Sequence, residues 1–295
     1  MKLTAIKNGF LGINEGISFE TSYSKAKVVV IPFGMEKTVS YGKGTKNGPK
    51  AIIKASHQLE PLDDEAVKPF FKSGIATIKE PAVPKDPKKA ITLLAQMVSQ
   101  VLKDKKFPIV LGGEHSLTQG TAAGFAKHFK NFTLLHFDAH TDTRENYRGS
   151  VYSHGSVMAQ VLKKIPITKL VQIGIRSIGD KKRDLIFQKA YAKKNKIFWG
   201  WQKINPAEVV KAIPTKNVLI SFDVDVFDPA VMPSTGTPEP GGLLWWPALD
   251  ILKAVFKSKN VIGADVVELA PIKGLHHTDF TIARLVYKMI GYKFF

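Results

Sequence analysis

Four short stretches hold most of the side chains able to do chemistry: Gly112-Gly113-Glu114-His115-Ser116, Asp138-Ala139-His140-Thr141-Asp142, Asp223-Val224-Asp225 and Asp265-Val266-Val267-Glu268. In extended chain, alternate residues face the same way. Asp138, His140 and Asp142 therefore project to one side, as do Asp223 and Asp225. With His115 this makes four carboxylates and two imidazoles. Carboxylates brought that close cannot all ionise without cations among them, and burying them uncompensated is costly. Two divalent metals would set four positive charges against the four negative ones. A two-metal site of that kind activates water for hydrolysis. Taken singly, each residue has a plainer use. An Asp-x-Asp pair after a strand often closes a turn, and His57, His128, His136, His276 and His277 read as non-ligand histidines satisfied by the structure. The spacing of the whole set is what points to metal.

Each stretch ends or follows a short apolar run. The candidate strands are residues 27–33, 74–78, 108–112, 132–138, 169–175, 197–199, 218–223 and 261–267. Most are near-continuous apolar runs, as expected for strands buried on both faces of a parallel sheet. Helices lie between them. Asp86-Pro87 offers an N-cap and an N1 proline before Ile91, Leu94, Val98 and Val101, Asn205-Pro206 repeats the device, and Gly48-Pro49 opens another helix. A last helix over 278–292 carries Ile282, Leu285, Val286 and Met289 on one face. This alternation predicts one α/β domain spanning 1–295. Eight strands can close into a barrel or lie open, and periodicity does not separate the two. Both gather ligands beyond the carboxyl ends of strands, where the four stretches fall. The run Gly42-Lys43-Gly44-Thr45-Lys46-Asn47-Gly48 has neither dinucleotide nor phosphate-loop spacing and reads as a tight loop entering a helix.

Composition narrows the function classes. Of 295 residues, 44% are hydrophobic and 23% charged, enough for a sizeable core and unlike a disordered chain. No apolar run approaches the roughly 18 residues of a membrane span. The start lacks the apolar stretch of a secretory signal, so a soluble, cytoplasmic protein is expected. The absence of cysteine excludes disulfides, thiolate zinc sites and cysteine nucleophiles. The net charge of +18 invites a nucleic-acid or membrane role. Its lysines, however, come in pairs such as Lys88-Lys89, Lys105-Lys106, Lys163-Lys164 and Lys193-Lys194, which suit helix C-termini and solubility. With no basic stripe interleaved with aromatics, neither nucleic acid nor membrane is expected as a partner.

The motifs Gly-Gly-Glu-His-Ser, Phe-Asp-Ala-His-Thr-Asp and Ser-Phe-Asp-Val-Asp, with the stretch from Pro233 through Thr235-Gly236-Thr237 to Gly242, resemble the ureohydrolases, the family of arginase and agmatinase. The resemblance runs from about Val28 to the C-terminus. It implies a three-layer α/β/α fold with an open eight-stranded parallel sheet rather than a barrel, two Mn2+ ions, and a homo-oligomer, trimer or hexamer. Carried over by motif, one manganese would take His115, Asp138, Asp142 and Asp223, and the other His140, Asp138, Asp223 and Asp225. It further implies that a metal-bridging hydroxide attacks a guanidinium carbon to release urea and an amine. Asp142 would hydrogen-bond the hydroxide and pass its proton to the leaving nitrogen, Glu268 would clamp the guanidinium, and His154, in Tyr152-Ser153-His154-Gly155, would shuttle protons.

The substrate's far end should meet residues 143–153. This segment lacks the asparagine and the Ser-Gly-Asn pattern of an arginase; Asp142-Thr143-Arg144 with Tyr147, and Tyr152-Ser153-His154-Gly155, look like agmatinase. The implied reaction converts agmatine to putrescine and urea. Arg144 and Arg148 leave two readings open. Facing solvent or another subunit, they are compatible with agmatine; facing inward, they would repel its ammonium and favour a carboxylate tail such as that of guanidinobutyrate, and arginine stays a further alternative substrate. Glu114 stands where many relatives carry aspartate, and Ser234 where many carry glycine or alanine. Two rival readings are a non-catalytic binding protein on the same scaffold and a mononuclear metal-dependent deacetylase. The first would have a broken ligand set, and the paired Asp-Ala-His-Thr-Asp and Asp-Val-Asp motifs speak against the second.

Overall fold

The computed structural model describes residues 1, 3–12, 19–179, 184 and 186–295. Its strands are β1 (Val28–Phe33), β2 (Ile75–Thr77), β3 (Phe107–Gly112), β4 (Thr133–Phe137), β5 (Lys169–Ile175), β6 (Asn195–Trp199), β7 (Asn217–Asp223) and β8 (Asn260–Val267). All pair in parallel, in one sheet of order β2-β1-β3-β8-β7-β4-β5-β6. The helices are α1 (Gly48–Ser56), α2 (Pro87–Lys103), α3 (Thr118–Ala126), α4 (Val157–Lys164), α5 (Ile186–Ala190), α6 (Pro206–Ala212), α7 (Trp245–Ser258) and α8 (His276–Phe294).

Strand alternation divides the core in two. Val28, Val30, Leu135, Ile173 and Ile220 pack with residues of α1, α6, α7 and α8 on one face of the sheet. Val29, Ile31, Leu134, Leu170 and Leu219 pack with α2, α3, α4 and α5 on the other. Burying each such side chain stabilises the fold by about 1.5–3 kcal/mol relative to exposure. These are the three layers, and the sheet lies open, with β2 and β6 as its edges. The barrel alternative is thereby excluded.

The helix starts follow their local chemistry. Asp86 accepts the Lys89 N–H as N-cap of α2, and Asn205 accepts the Ala207 N–H at α6. The Gly42–Gly48 segment is the expected tight entry to α1: the Glu36 carboxylate takes the Gly44 N–H at 2.6 Å and the Thr45 hydroxyl at 3.2 Å. The lysine pairs are less regular than expected. Lys163-Lys164 close α4, but Lys88-Lys89 occupy the first turn of α2, the unfavourable end of the helix dipole.

Chain order and sheet order differ in the way that matters for function. After β3 the chain crosses to β4, builds the β5 and β6 edge, then returns to insert β7 and β8 between β4 and β3. The strands ahead of all four chemical stretches (β3, β8, β7 and β4) are therefore contiguous at the centre of the sheet. A crevice forms where the strand order reverses.

Candidate active site

His115 lies in a single 3-10 turn (His115–Leu117) that leads from β3 into α3; Asp223 closes β7, and Asp225 sits in the one-turn helix Val224–Val226 that follows. His115 Nδ1 is 3.1 Å from Asp138 Oδ2, 3.1 Å from Asp223 Oδ2 and 3.4 Å from Asp142 Oδ2. His140 Nδ1 is 2.9 Å from Asp225 Oδ2 and 3.5 Å from Asp138 Oδ1. All six residues expected as ligands thus converge, with Asp138 fully buried between the two imidazoles. Extended alternation is not what brings them together. Asp142 has φ of +52°, so its side chain leaves the line set by Asp138 and His140, and its carbonyl holds the α4 entry by accepting the Met158 and Ala159 N–H groups. Asp223 Oδ1 accepts the Asp225 N–H at 2.9 Å, tightening the turn that carries Asp225. Glu268, expected at the same rim, has φ of +66° and accepts the His115 N–H through Oε1 at 2.6 Å.

The electrostatics are those of crowded anions. Burial, then repulsion from Asp225 and Asp138, push Asp223 well above the usual carboxylate range. Burial and Asp138 push Asp225 up, and burial does the same to Glu268. Asp138 goes the other way: burial opposes ionisation, but His136, His115 and His140 hold it well below the usual range. Burial would lower the imidazoles, yet Asp138, Asp142 and Asp223 raise His115 and Asp225 and Asp138 raise His140. His115 Nδ1 is buried without a well-directed hydrogen bond, facing three carboxylate oxygens. A proton or a metal cation must lie between them, and a mixed oxygen and imidazole set suits divalent metals. Two groups could hold ions and share Asp138: His115, His136, Asp138 and Asp142 in one, Asp138, His140 and Asp225 in the other.

His136 does more than fill the core. It is buried and satisfied, as expected, but its Nε2 lies 2.7 Å from Asp138 Oδ2. Asn195 donates to Gln172 Oε1 at 3.0 Å, and Gln172 Nε2 donates to the Thr141 carbonyl at 2.9 Å and to His136 Nδ1 at 3.0 Å. With Nδ1 accepting, the ring proton sits on Nε2 and points at Asp138. The two-residue spacing between His136 on β4 and Asp138 just beyond its end is the available signal. His115 is backed similarly: its Nε2 is 2.9 Å from Ser221 Oγ, which lies 3.3 Å from Thr118 Oγ1. The Arg176 guanidinium, unforeseen from sequence, donates to the carbonyls of Asp225, Phe227 and Glu239 and so pins the Asp225 turn. His57 and His128 bond the Gly9 carbonyl and Ser99, away from these clusters.

A cavity of about 200 Å³ opens over the cluster, lined by five of the six residues and by Glu268, His154, Tyr147 and Thr235-Gly236-Thr237. Burial pushes His154 below the usual histidine range, partly offset by Asp142 and Glu114. Arg144 lines this cavity, so the solvent-facing reading does not hold for it. Its charge is engaged, with the guanidinium 4.6 Å over the Tyr147 ring and Nε 3.9 Å from Asp184 Oδ2. Arg148 lies over the same ring at 5.3 Å and bonds the Ser40 carbonyl at 3.5 Å.

Known proteins share this architecture. The family model described as Arginase family matches residues 26–291. The chain is 38% identical to the N(1)-aminopropylagmatine ureohydrolase of Synechocystis sp., covering 92% of this chain and 90% of that one, and 33% identical to the agmatinase of Bacillus cereus, covering 90% of each. The crystal structure of agmatine ureohydrolase of Thermoplasma volcanium superposes with a TM-score of 0.84 at 28% identity, over 94% of this chain and 95% of that one. No helix among the described residues is long and apolar enough to cross a membrane. The chain belongs to the Arginase family, as an agmatinase-like ureohydrolase.

Proposed function

We propose that the protein hydrolyses the guanidinium of agmatine to urea and putrescine at two manganese ions. The observation that carries the reading is the meeting of six nitrogen and oxygen ligand residues beneath one cavity whose rim holds Glu268, Asp142 and His154. His115, Asp138, Asp142 and Asp223 would hold one ion, and His140, Asp138, Asp223 and Asp225 the other. When bound, such ions supply Lewis acidity that makes water a nucleophile near neutral pH.

The chain's own residues do the rest. Glu268 Oε1 is taken by the His115 N–H, which leaves Oε2 to accept guanidinium N–H groups by charge-assisted bonds. Gly236 lies beside that oxygen on the cavity wall. As water adds to the guanidinium carbon, Asp142 accepts the proton and delivers it to the alkyl nitrogen. The bond from carbon to that nitrogen then breaks, giving urea and an amine. His154 exchanges protons with solvent at the rim.

Arg144, held against Tyr147 and Asp184, does not oppose a cationic tail as an unengaged arginine would. A longer tail is the second reading, favoured because three relatives at 36–38% identity are N(1)-aminopropylagmatine ureohydrolases. Urea release after manganese loading, with agmatine, N(1)-aminopropylagmatine, arginine and guanidinobutyrate side by side, tests both. Agmatine should be turned over with the highest kcat/KM. Preference for the aminopropyl compound would keep the mechanism and move the substrate, while preference for guanidinobutyrate would make Arg144 a carboxylate ligand. No urea from any of the four, with metal bound, would overturn the proposal.

A further inference from the structure

Glu114 is fully buried beside the centre but belongs to neither candidate metal cluster. Its Oε2 accepts the backbone N–H of Lys37 and that of Thr38, the latter at 2.5 Å. Its Oε1 accepts the hydroxyls of Ser116 at 2.5 Å and Thr38 at 2.9 Å. The main chain adds a further tie, because the Glu114 N–H donates to the Met35 carbonyl at 2.7 Å. Gly113 permits this approach: a Cβ there would lie 2.0 Å from the Met35 carbonyl oxygen. The segment 35–38 is thereby fastened to the residue that precedes His115.

Thr38 also faces His154. Its Oγ1 accepts the His154 backbone N–H at 3.2 Å and lies 3.2 Å from the ring Nδ1. Two backbone N–H groups and the Ser116 hydroxyl already donate to this carboxylate, which makes it the acceptor toward the Thr38 hydroxyl as well. The Thr38 hydroxyl proton therefore goes to Glu114, and only lone pairs face His154. Nδ1 must then carry the ring proton, which leaves the lone pair on Nε2 for the cavity that His154 lines. Tyr147 braces the ring edge-on, with centroids 5.3 Å apart.

We propose that Glu114 and Thr38 are positioning residues that fix the orientation and tautomer of His154, making Nε2 the atom that exchanges protons during guanidinium hydrolysis. This rests on the role proposed above for His154. Aspartate at position 114 would be one methylene too short to hold both N–H groups and the Thr38 hydroxyl.

The test uses the full-length, manganese-loaded chain, with urea release from agmatine and N(1)-aminopropylagmatine and bound metal measured for every variant. Thr38→Val removes the hydroxyl at nearly constant shape. It should lower kcat about 10- to 100-fold, leave KM and metal content close to wild type, and be largely rescued by Thr38→Ser. In a His154→Asn background the same Thr38→Val change should cost nothing further. Should Thr38→Val fail to hold metal, Glu114→Asp takes its place in the same cycle and should lower kcat only while His154 is present. A Thr38→Ser variant as impaired as Thr38→Val, or an equal loss in both backgrounds, would overturn the proposal. Full kcat in His154→Asn alone would instead defeat the underlying role of His154, in a variant where Thr38 and Glu114 are untouched.

Discussion

The charge cluster at α8 and the one at the strand ends use similar side chains and meet the cost of burial in opposite ways. On α8 the Lys288 ammonium, 1% exposed, lies 2.7 Å from Asp63, 2.6 Å from Asp64 and 3.1 Å from Glu65. Tyr292 and Lys253 add bonds to Glu65. The chain supplies its own cation there, and the bonds to Asp63, Asp64 and Glu65 raise Lys288 despite its burial. At the strand ends, Asp223 and Asp225 are forced up while Asp138 is forced down. Four carboxylates there meet two imidazoles, His115 and His140, so the cluster stays short of positive charge unless cations enter it. A cluster bridged by lysines of its own fastens a helix; one short of cations can recruit metal and do chemistry.

Breaking the second cluster should have the largest effect. Asp138→Ala removes the carboxylate shared by both candidate metal groups. Bound manganese, read by elemental analysis, should fall below two per chain, and urea release should drop by more than the roughly 100-fold that loss of a supporting partner costs. Full turnover in that variant would remove the basis for a binuclear mechanism. Breaking the first cluster should separate stability from function. Lys288→Met leaves Asp63 buried without its cation and should cost about 3–5 kcal/mol in chemical denaturation. The folded fraction should keep its metal content and turnover, and a matching loss of metal would mean that the two clusters are coupled.

The same contrast explains what the sequence disclosed. Near-continuous apolar runs disclosed the strands to within a residue or two, because burial on both faces leaves a signal in every residue. The prolines after Asp86 and Asn205 marked helix starts because the chemistry there is local. Strand order was not legible from periodicity, since β7 and β8 reach the centre only through long-range pairing, and that part of the expectation came from family resemblance. The six side chains expected from the motifs do converge, but strand alternation is not the reason at Asp142 and Asp225, where turns aim the carboxylates. His136 is buried and satisfied as expected, but its support of Asp138 is not legible in a single strand; the Gln172 amide, from the neighbouring β5, reveals it. The Lys288 cluster escaped notice altogether, its partners being more than two hundred positions away along the chain.

His136 offers a finer test. His136→Asn shortens the donor that faces Asp138 and should weaken manganese binding about 10- to 100-fold. Because the six proposed ligands remain, kcat should recover when manganese is raised to saturation. A kcat that stays low with two metals bound would show that His136 acts on the reaction beyond placing Asp138.

The smallest expected effect is the acid response of the α8 cluster. The Lys288 hydrogen bond lowers Asp64, and bonds from Lys253, Tyr292 and Lys288 lower Glu65 against the opposing effect of burial. Groups depressed on folding contribute stability above their unfolded values, about 4 for carboxylates, and lose it as pH falls through the folded ones. Lys288, raised on folding, holds its contribution below the ordinary lysine value of about 10.4 and loses it only above that. The stability difference between wild type and Lys288→Met should therefore stay level from about pH 6 to 9 and shrink by about 1 kcal/mol or less toward pH 3, since Asp64 is largely exposed and screened. Any acid effect at the strand-end site is common to both proteins and cancels in the difference. A difference that stays flat to pH 3 would mean that Asp64 and Glu65 add nothing measurable to the hold on Lys288.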